Sequence, residues 1–248
     1  MFFNHSLLRI ALLTLFMQVG TSAALAQSVG TVSMASRDFF VGPDPRPEEG
    51  QNGHLSLQRY QWIRQILRSD PFVMGQYFRI DERTDCCGFT YQLSAAREHY
   101  PVPTSALGRF DWEGYQITGY RAVGSPALLL VPASPNPDFF VWCSVKESAE
   151  LTRMFRVCRL TASYPPDDRI LLISQSAWLP PELDLPVYFQ NLADRAREII
   201  HCLDVTDIEI DDASAYQAYL LRETPELKGC DDAMPFAVAT GAQQQDEG

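Results

Sequence analysis

Positive charge is scarce in this chain of 248 residues. Its 20 lysine and arginine side chains stand against 31 aspartates and glutamates, which leaves a formal net charge of −11 at pH 7. Nucleic acids and anionic membrane surfaces are polyanions, so this balance argues against both as partners. The charge favours a basic protein partner, or it serves only to keep the chain in solution.

A long apolar run is also missing. The run Ile10–Val19 is too short to cross a hydrocarbon core of about 30 Å. It is followed by Ala24 and Ala26, the small side chains that a signal peptidase needs before its cut. Residues 1–26 therefore predict a cleaved signal peptide, with Gln27 as the mature N-terminus. We expect a periplasmic or secreted protein that has no membrane contact after cleavage.

Recognisable catalytic motifs are absent from the sequence. It contains no G-x-S-x-G, H-E-x-x-H, S-x-x-K or P-loop pattern, and no C-x-x-C pair. Asp194, Glu198 and His201 resemble half of a di-iron helix motif, but a helical wheel directs them away from the apolar stripe and toward solvent. We therefore expect no catalytic residue, no metal and no cofactor.

All six cysteines follow the expected signal peptide, which would deliver them to a compartment where disulfides persist. Cys143 and Cys158 lie on two predicted strands joined by a short turn, so we expect a bond across this hairpin. Cys202, near the end of a long predicted helix, is a candidate partner for Cys230, a bond that would fasten the C-terminal segment to the helix. The adjacent Cys86-Cys87 pair either closes on itself as a strained redox-active disulfide or has at least one member bonded elsewhere.

Apolar periodicity predicts two helices and a series of strands. A helix over about 57–69 would be capped by Ser56, and a long amphipathic helix over about 185–204 would be capped by Asp184. The long helix would bury one stripe, formed by Leu192, Ala196, Ile199 and Leu203. Strand character is found at Met74–Ile80, Gly88–Leu93, Gly114–Val123, Ala127–Val131, Phe139–Val145, Met154–Tyr164 and Arg169–Trp178.

These elements predict an α+β fold, in which an antiparallel sheet of about six strands carries the long helix on one face and the second helix nearby. Residues 27–55 are rich in proline and turn formers and predict a flexible arm. Residues 56–230 predict a single globular domain, and 231–248 are too polar to pack and are expected to be disordered. The segment 139–142 has large side chains on both strand faces, so either both faces are covered or one has an exposed aromatic patch.

The densest acidic stretch follows the long helix. Asp207, Glu209 and Asp211 alternate with Ile208 and Ile210, which predicts an edge strand with an outward row of carboxylates. Such a row either blocks edge-to-edge aggregation or docks a basic partner. The stretch lacks the glycine bend that is typical of a calcium loop.

Two functions fit these observations. The favoured one is a non-catalytic exported binding protein, of the inhibitor or immunity type, that engages a basic exported protein. The alternative is a secreted hydrolase acting on a cell-wall or carbohydrate substrate, because its two carboxyl groups would lie far apart in sequence and would leave no motif.

Overall fold

Ten strands and four α-helices make up the described part of the chain in the structure, a computed structural model. The helices are α1 (Gln61–Ser69), α2 (Phe89–His99), α3 (Leu185–Leu203) and α4 (Ala213–Glu223). The strands are β1 (Thr31–Met34), β2 (Arg37–Phe40), β3 (His54–Ser56), β4 (Tyr77–Glu82), β5 (Val102–Pro103), β6 (Tyr115–Tyr120), β7 (Ala127–Pro132), β8 (Phe139–Val145), β9 (Phe155–Ser163) and β10 (Ile170–Ser176). The structure describes residues 30–43, 52–69, 77–83, 86–103, 113–120, 127–145, 155–176, 179, 184–208 and 210–223.

Eight of these strands form one antiparallel sheet in the order β3-β4-β10-β9-β8-β7-β6-β5. From β6 to β10 the sheet is a meander in which each strand pairs with the next one in sequence. The α+β class with an antiparallel sheet is therefore confirmed. The two strands beyond the expected six, β3 and β5, are three and two residues long and lie at the two edges.

The long helix α3 packs against β9 and β10 on one face of the sheet, as predicted. Its cap is Asp184, whose carboxylate accepts a hydrogen bond from the Val187 amide at 3.5 Å. The predicted buried stripe is confirmed, since each member is at most 2 % exposed: Leu192, Ala196, Ile199 and Leu203. Helices α1 and α4 pack into the same core. Helix α1 begins at Gln61, later than predicted, because a 3-10 turn precedes it and Ser56 makes no side-chain cap.

The prediction of a flexible arm over 27–55 is wrong for the part of it that the structure describes. Strands β1 and β2 form a hairpin, and Phe39 and Phe40 at its end are fully buried. The Val205 amide donates to the Asp38 carbonyl at 2.8 Å, which ties the hairpin to the end of α3. The many turn-forming residues of this region made its short strands hard to recognise from the sequence. The apolar end of this strand pair completes the core.

The predicted strand Gly88–Leu93 is also wrong, because this segment begins α2. Phe89 and Leu93 are both buried and stand four residues apart, a spacing that places them on one face of a helix. The Phe89 amide donates to the Asp168 carbonyl at 3.2 Å, and a Cβ at Gly88 would collide with Asp168. This close approach anchors the start of α2 on the turn between β9 and β10.

Helix α2 lies on the sheet face opposite to α3, so both faces carry a core. The smaller core beneath α2 is formed by Phe89, Leu93, Leu129, Val131, Phe140, Leu171 and Ile173. Phe140 of β8 contacts Phe89 with ring centroids 5.8 Å apart, while the adjacent Phe139 faces the α3 side. The two-sided aromatic segment of β8 is therefore explained by a sheet covered on both faces at this point.

Candidate functional site

The acidic segment does not form the predicted edge strand. The described residues of 206–211 contain a turn and no strand, and the Ile208 amide donates to the Val205 carbonyl at 3.0 Å. Asp207 and Asp211 are exposed, and Glu209 lies outside the described residues. The expected row of evenly spaced carboxylates is therefore wrong as geometry.

The turn is stabilised by Asp204, the residue that ends α3. Its carboxylate accepts hydrogen bonds from the Tyr164 hydroxyl at 2.7 Å and the Thr206 amide at 3.1 Å, and it forms an ion pair with Arg37 at 3.3 Å. These contacts turn the chain back toward β2 directly after α3. A sequence pattern of alternating acidic and apolar residues contains no sign of them.

The predicted bond between Cys143 and Cys158 is present. The two residues are paired in the register of β8 and β9, and both are buried on the α3 side of the sheet. Cys202 is buried and disulfide-bonded, and its candidate partner Cys230 lies outside the described residues. Of the Cys86-Cys87 pair before α2, the first is exposed and the second is half-buried.

The residues that resemble a di-iron motif face solvent on α3. Asp194 accepts a hydrogen bond from Arg197 at 3.1 Å, and Glu198 accepts one from Arg195 at 2.7 Å, so both carboxylates are held in surface ion pairs. His201 is exposed as well. Within the described ranges, no group of three or more His, Cys, Asp or Glu side chains is placed to hold a metal ion.

A cleft of about 450 Å³ opens between α2 and the face of the sheet that α2 covers. We call it the α2 cleft. Its walls contain the apolar side chains Ala95, Ala96, Leu129, Phe140, Trp142 and Val157, and its polar groups are Gln92, His99, Tyr100, Arg159, Thr161 and Gln175. A volume of this size is typical of a site for a small organic ligand.

The floor of the α2 cleft is organised by strand register. Gln175 of β10, Arg159 of β9, Trp142 of β8 and Leu129 of β7 are successive cross-strand partners on one face. Directly opposed side chains in such pairs have Cβ atoms about 5 Å apart. Rigid strands therefore place one guanidinium between an amide on one side and an indole on the other. We call these four residues the Arg159 row.

A buried carboxylate beyond the α2 cleft holds two more arginines. Asp81 of β4 is 0 % exposed. It forms ion pairs with Arg79 at 2.9 Å and Arg83 at 3.3 Å, and the His54 ring nitrogen Nδ1 lies 3.0 Å from it. Burying a carboxylate is strongly unfavourable without such partners, so both guanidinium groups are committed to Asp81.

Arg159 lies within the field of these groups but is not paired by them. No hydrogen bond or ion pair joins its guanidinium to another residue in the described part of the chain. Burial lowers the pKa of Arg159, as do the like charges of Arg79 and Arg83, while Asp81 raises it. Three guanidinium groups thus share one carboxylate, and the charge that is left uncompensated is the one in the cleft.

The indole beside Arg159 also has an unused donor. Trp142 Nε1 is buried and donates to no acceptor in the described structure. By contrast, the buried indole of Trp62 is satisfied: Trp62 Nε1 donates a hydrogen bond to the Val41 carbonyl at 2.8 Å. A second cleft of about 510 Å³ lies beside Trp62, but the indole there is already satisfied. The α2 cleft is therefore the better candidate for a ligand site.

Sequence reasoning missed the α2 cleft, although one signal for it was present. Arg159 lies between the buried residues Cys158 and Leu160 in the middle of a long strand. A cation at such a position needs either an acidic partner or a function. No family model, curated protein or solved structure matches this chain, so the assignment of the site depends on its geometry.

Proposed function

We propose that this protein is an exported, non-catalytic binding protein whose ligand site is the α2 cleft. The observation that carries the proposal is the uncompensated guanidinium of Arg159 on the floor of a cleft whose described walls are half apolar and half polar. A half-buried cation without a partner is unfavourable for folding. Residues that lower stability without structural benefit are typical of functional sites.

The form of the α2 cleft supports a small ligand. Its described lining is divided equally between apolar side chains and polar groups, so the cleft offers both an apolar surface and hydrogen-bonding groups that can orient a ligand. The Arg159 row is fixed by four paired strands, so these groups would be held in position before a ligand arrives. Such preorganisation reduces the entropy that binding would otherwise lose.

Binding is better supported than hydrolysis. The described residues that line the α2 cleft include no aspartate or glutamate. Hydrolysis of a glycosidic bond needs two carboxyl groups that flank the bond, one of them as an acid. The basic protein partner expected from net charge stays a prediction, and it no longer has an edge strand to support it.

Export is the second part of the proposal, and it rests on the signal-like residues 1–26, which lie outside the described residues. The Cys143–Cys158 disulfide is compatible with an oxidising, extracytoplasmic compartment. No helix in the described ranges is both long and apolar enough to span a membrane. We therefore expect the α2 cleft to bind its ligand outside the cytoplasm, after export.

A fragment screen tests the binding function. Saturation-transfer NMR with a mixture of small apolar and amphipathic fragments would be run on the full mature protein. Ala96→Phe would fill the α2 cleft from α2, and Ala218→Phe on the exposed side of α4 is the matched control. We expect fragment signals with the wild type and the control, and their loss with Ala96→Phe. Fragment binding that ignores Ala96→Phe would show that the α2 cleft is not the site.

A further inference from the structure

The Arg159 row suggests the chemistry of the ligand as well as its place. Arg159 presents the single guanidinium among the described residues that line the α2 cleft, and its cross-strand neighbour Trp142 presents a broad apolar surface. One cation beside one apolar surface is complementary to a molecule that has one anionic end and one apolar end.

We propose that the α2 cleft binds a small amphipathic carboxylate. The ligand's carboxylate lies against the guanidinium of Arg159, and its apolar body lies on Trp142 and extends toward β7. This inference rests on the binding function proposed above and specifies the class of ligand. The planar fork of an arginine matches the two oxygens of a carboxylate, so a bidentate contact is available.

Several lining groups suit a carboxylate better than a phosphate. A phosphate dianion needs two positive charges, whereas the described lining of this partly apolar cleft offers one guanidinium, since Arg79 and Arg83 are already paired with Asp81. A monoanion is balanced by Arg159 alone. The Tyr100 hydroxyl is protonated at neutral pH, as any tyrosine is, and can donate a hydrogen bond to a carboxylate, as the amide of Gln175 beside Arg159 also can.

The spacing of the strands sets the length of the apolar body. From β9, which carries Arg159, to β7, which carries Leu129, there are two inter-strand steps of about 4.8 Å, or about 10 Å in all. An extended chain of about eight carbons reaches about 9 Å. Octanoate is therefore a suitable probe, while acetate has the same anionic group without the body.

Calorimetric titration of the full mature protein tests this assignment. The probes are octanoate, the neutral isostere octanamide, acetate and inorganic phosphate. We expect octanoate to bind at least 10-fold more tightly than octanamide, because a hydrogen bond to a charged partner contributes at least this much. The same margin is expected over acetate and phosphate, because both lack the apolar body and its burial. Arg159→Gln should weaken octanoate binding at least 10-fold and weaken octanamide binding much less, because the neutral amide forms no ion pair with the guanidinium. Arg68→Gln, at an exposed site on α1, should change neither.

The thermal unfolding midpoint of Arg159→Gln shows whether a loss of binding is caused by unfolding of the variant. Arg159 forms no hydrogen bond or ion pair with a described residue, and burial and its two like-charged neighbours outweigh the attraction of Asp81, so the midpoint should be equal to or above that of the wild type. Equal affinity for octanoate and octanamide, or octanoate binding that survives Arg159→Gln, would overturn the carboxylate assignment. Phosphate binding as tight as octanoate would overturn it too. In these cases a fragment screen that responds to Ala96→Phe would still support the binding function, so the two failures are distinguishable.

Discussion

Truncation of Phe40 to alanine tests whether the β1–β2 hairpin belongs to the core. Phe40 is 0 % exposed. Its ring contacts Trp62 of α1 at a centroid distance of 5.5 Å, and it meets Tyr216 of α4 edge-on at 4.8 Å. The side chain thus joins the hairpin to two helices that lie far away in sequence.

The expected loss follows from these contacts. Burial of a phenylalanine side chain contributes about 2–3 kcal/mol, and each aromatic pair adds about 0.5–1.5 kcal/mol. We therefore expect Phe40→Ala to lower the free energy of unfolding by about 3–6 kcal/mol, a range that includes the ~3–5 kcal/mol typical of phenylalanine-to-alanine changes in a core. This is a large fraction of the ~5–15 kcal/mol that stabilises a typical domain.

Urea unfolding followed by far-ultraviolet circular dichroism measures this loss. Val187→Ala, at a site that is 53 % exposed, is the control and should change the free energy of unfolding by less than about 0.5 kcal/mol. Phe40→Leu keeps the apolar volume but removes the ring contacts, so an intermediate loss is expected if Phe40→Ala fails to fold. A loss below about 1 kcal/mol with an unchanged m-value would refute the core assignment and favour a flexible arm.

Two further predictions concern acid stability and export. Hydrogen bonds from Arg169 and Ser36 hold the pKa of the Asp167 carboxyl well below its usual range, although burial opposes them. Its contribution is therefore present above about pH 4 and is lost as the pH falls further. Asp167→Asn should lower the free energy of unfolding by about 1–3 kcal/mol at pH 7, and the difference from the wild type should shrink below pH 4. An equal difference at pH 7 and pH 3 in urea unfolding would contradict this reasoning. N-terminal sequencing of the exported protein should begin at Gln27, and a chain that retains Met1 would contradict signal cleavage.

Regular periodicity made much of the fold predictable. The apolar stripe that includes Leu192 and Ile199 predicts an amphipathic helix packed on a sheet, and the structure confirms this prediction. Cys143 and Cys158 lie on two long strands that follow each other in sequence, so their pairing across the hairpin could also be predicted. In a short segment, the spacing of apolar residues does not distinguish a helix from a strand. Phe89 and Leu93 stand four residues apart, a separation that puts two side chains on one face of a helix and also on one face of a strand.

The candidate site could not be predicted because it is created by tertiary contacts. Alternation along β9 places Arg159 on the face opposite to Cys158, but it does not show what covers that face. The covering helix α2 was predicted as a strand. The carboxylate of Asp81, which holds Arg79 and Arg83, enters the neighbourhood only because β4 pairs with β10, a strand nearly ninety positions later. Neither fact is written in the local pattern of apolar residues.

The charge of the whole chain and the charge of the α2 cleft act on a carboxylate in opposite directions. A net charge of −11 repels an approaching anion over long distances, whereas Arg159 attracts it at contact. At physiological ionic strength the screening length is about 8 Å, so salt weakens the distant repulsion strongly and the half-buried contact much less. Added salt should therefore change the affinity for octanoate only slightly, unlike the steep loss seen at exposed basic surfaces. An acidic chain whose α2 cleft holds an arginine without a partner among the described residues would in this way select anions by contact, and it would not accumulate polyanions on its surface.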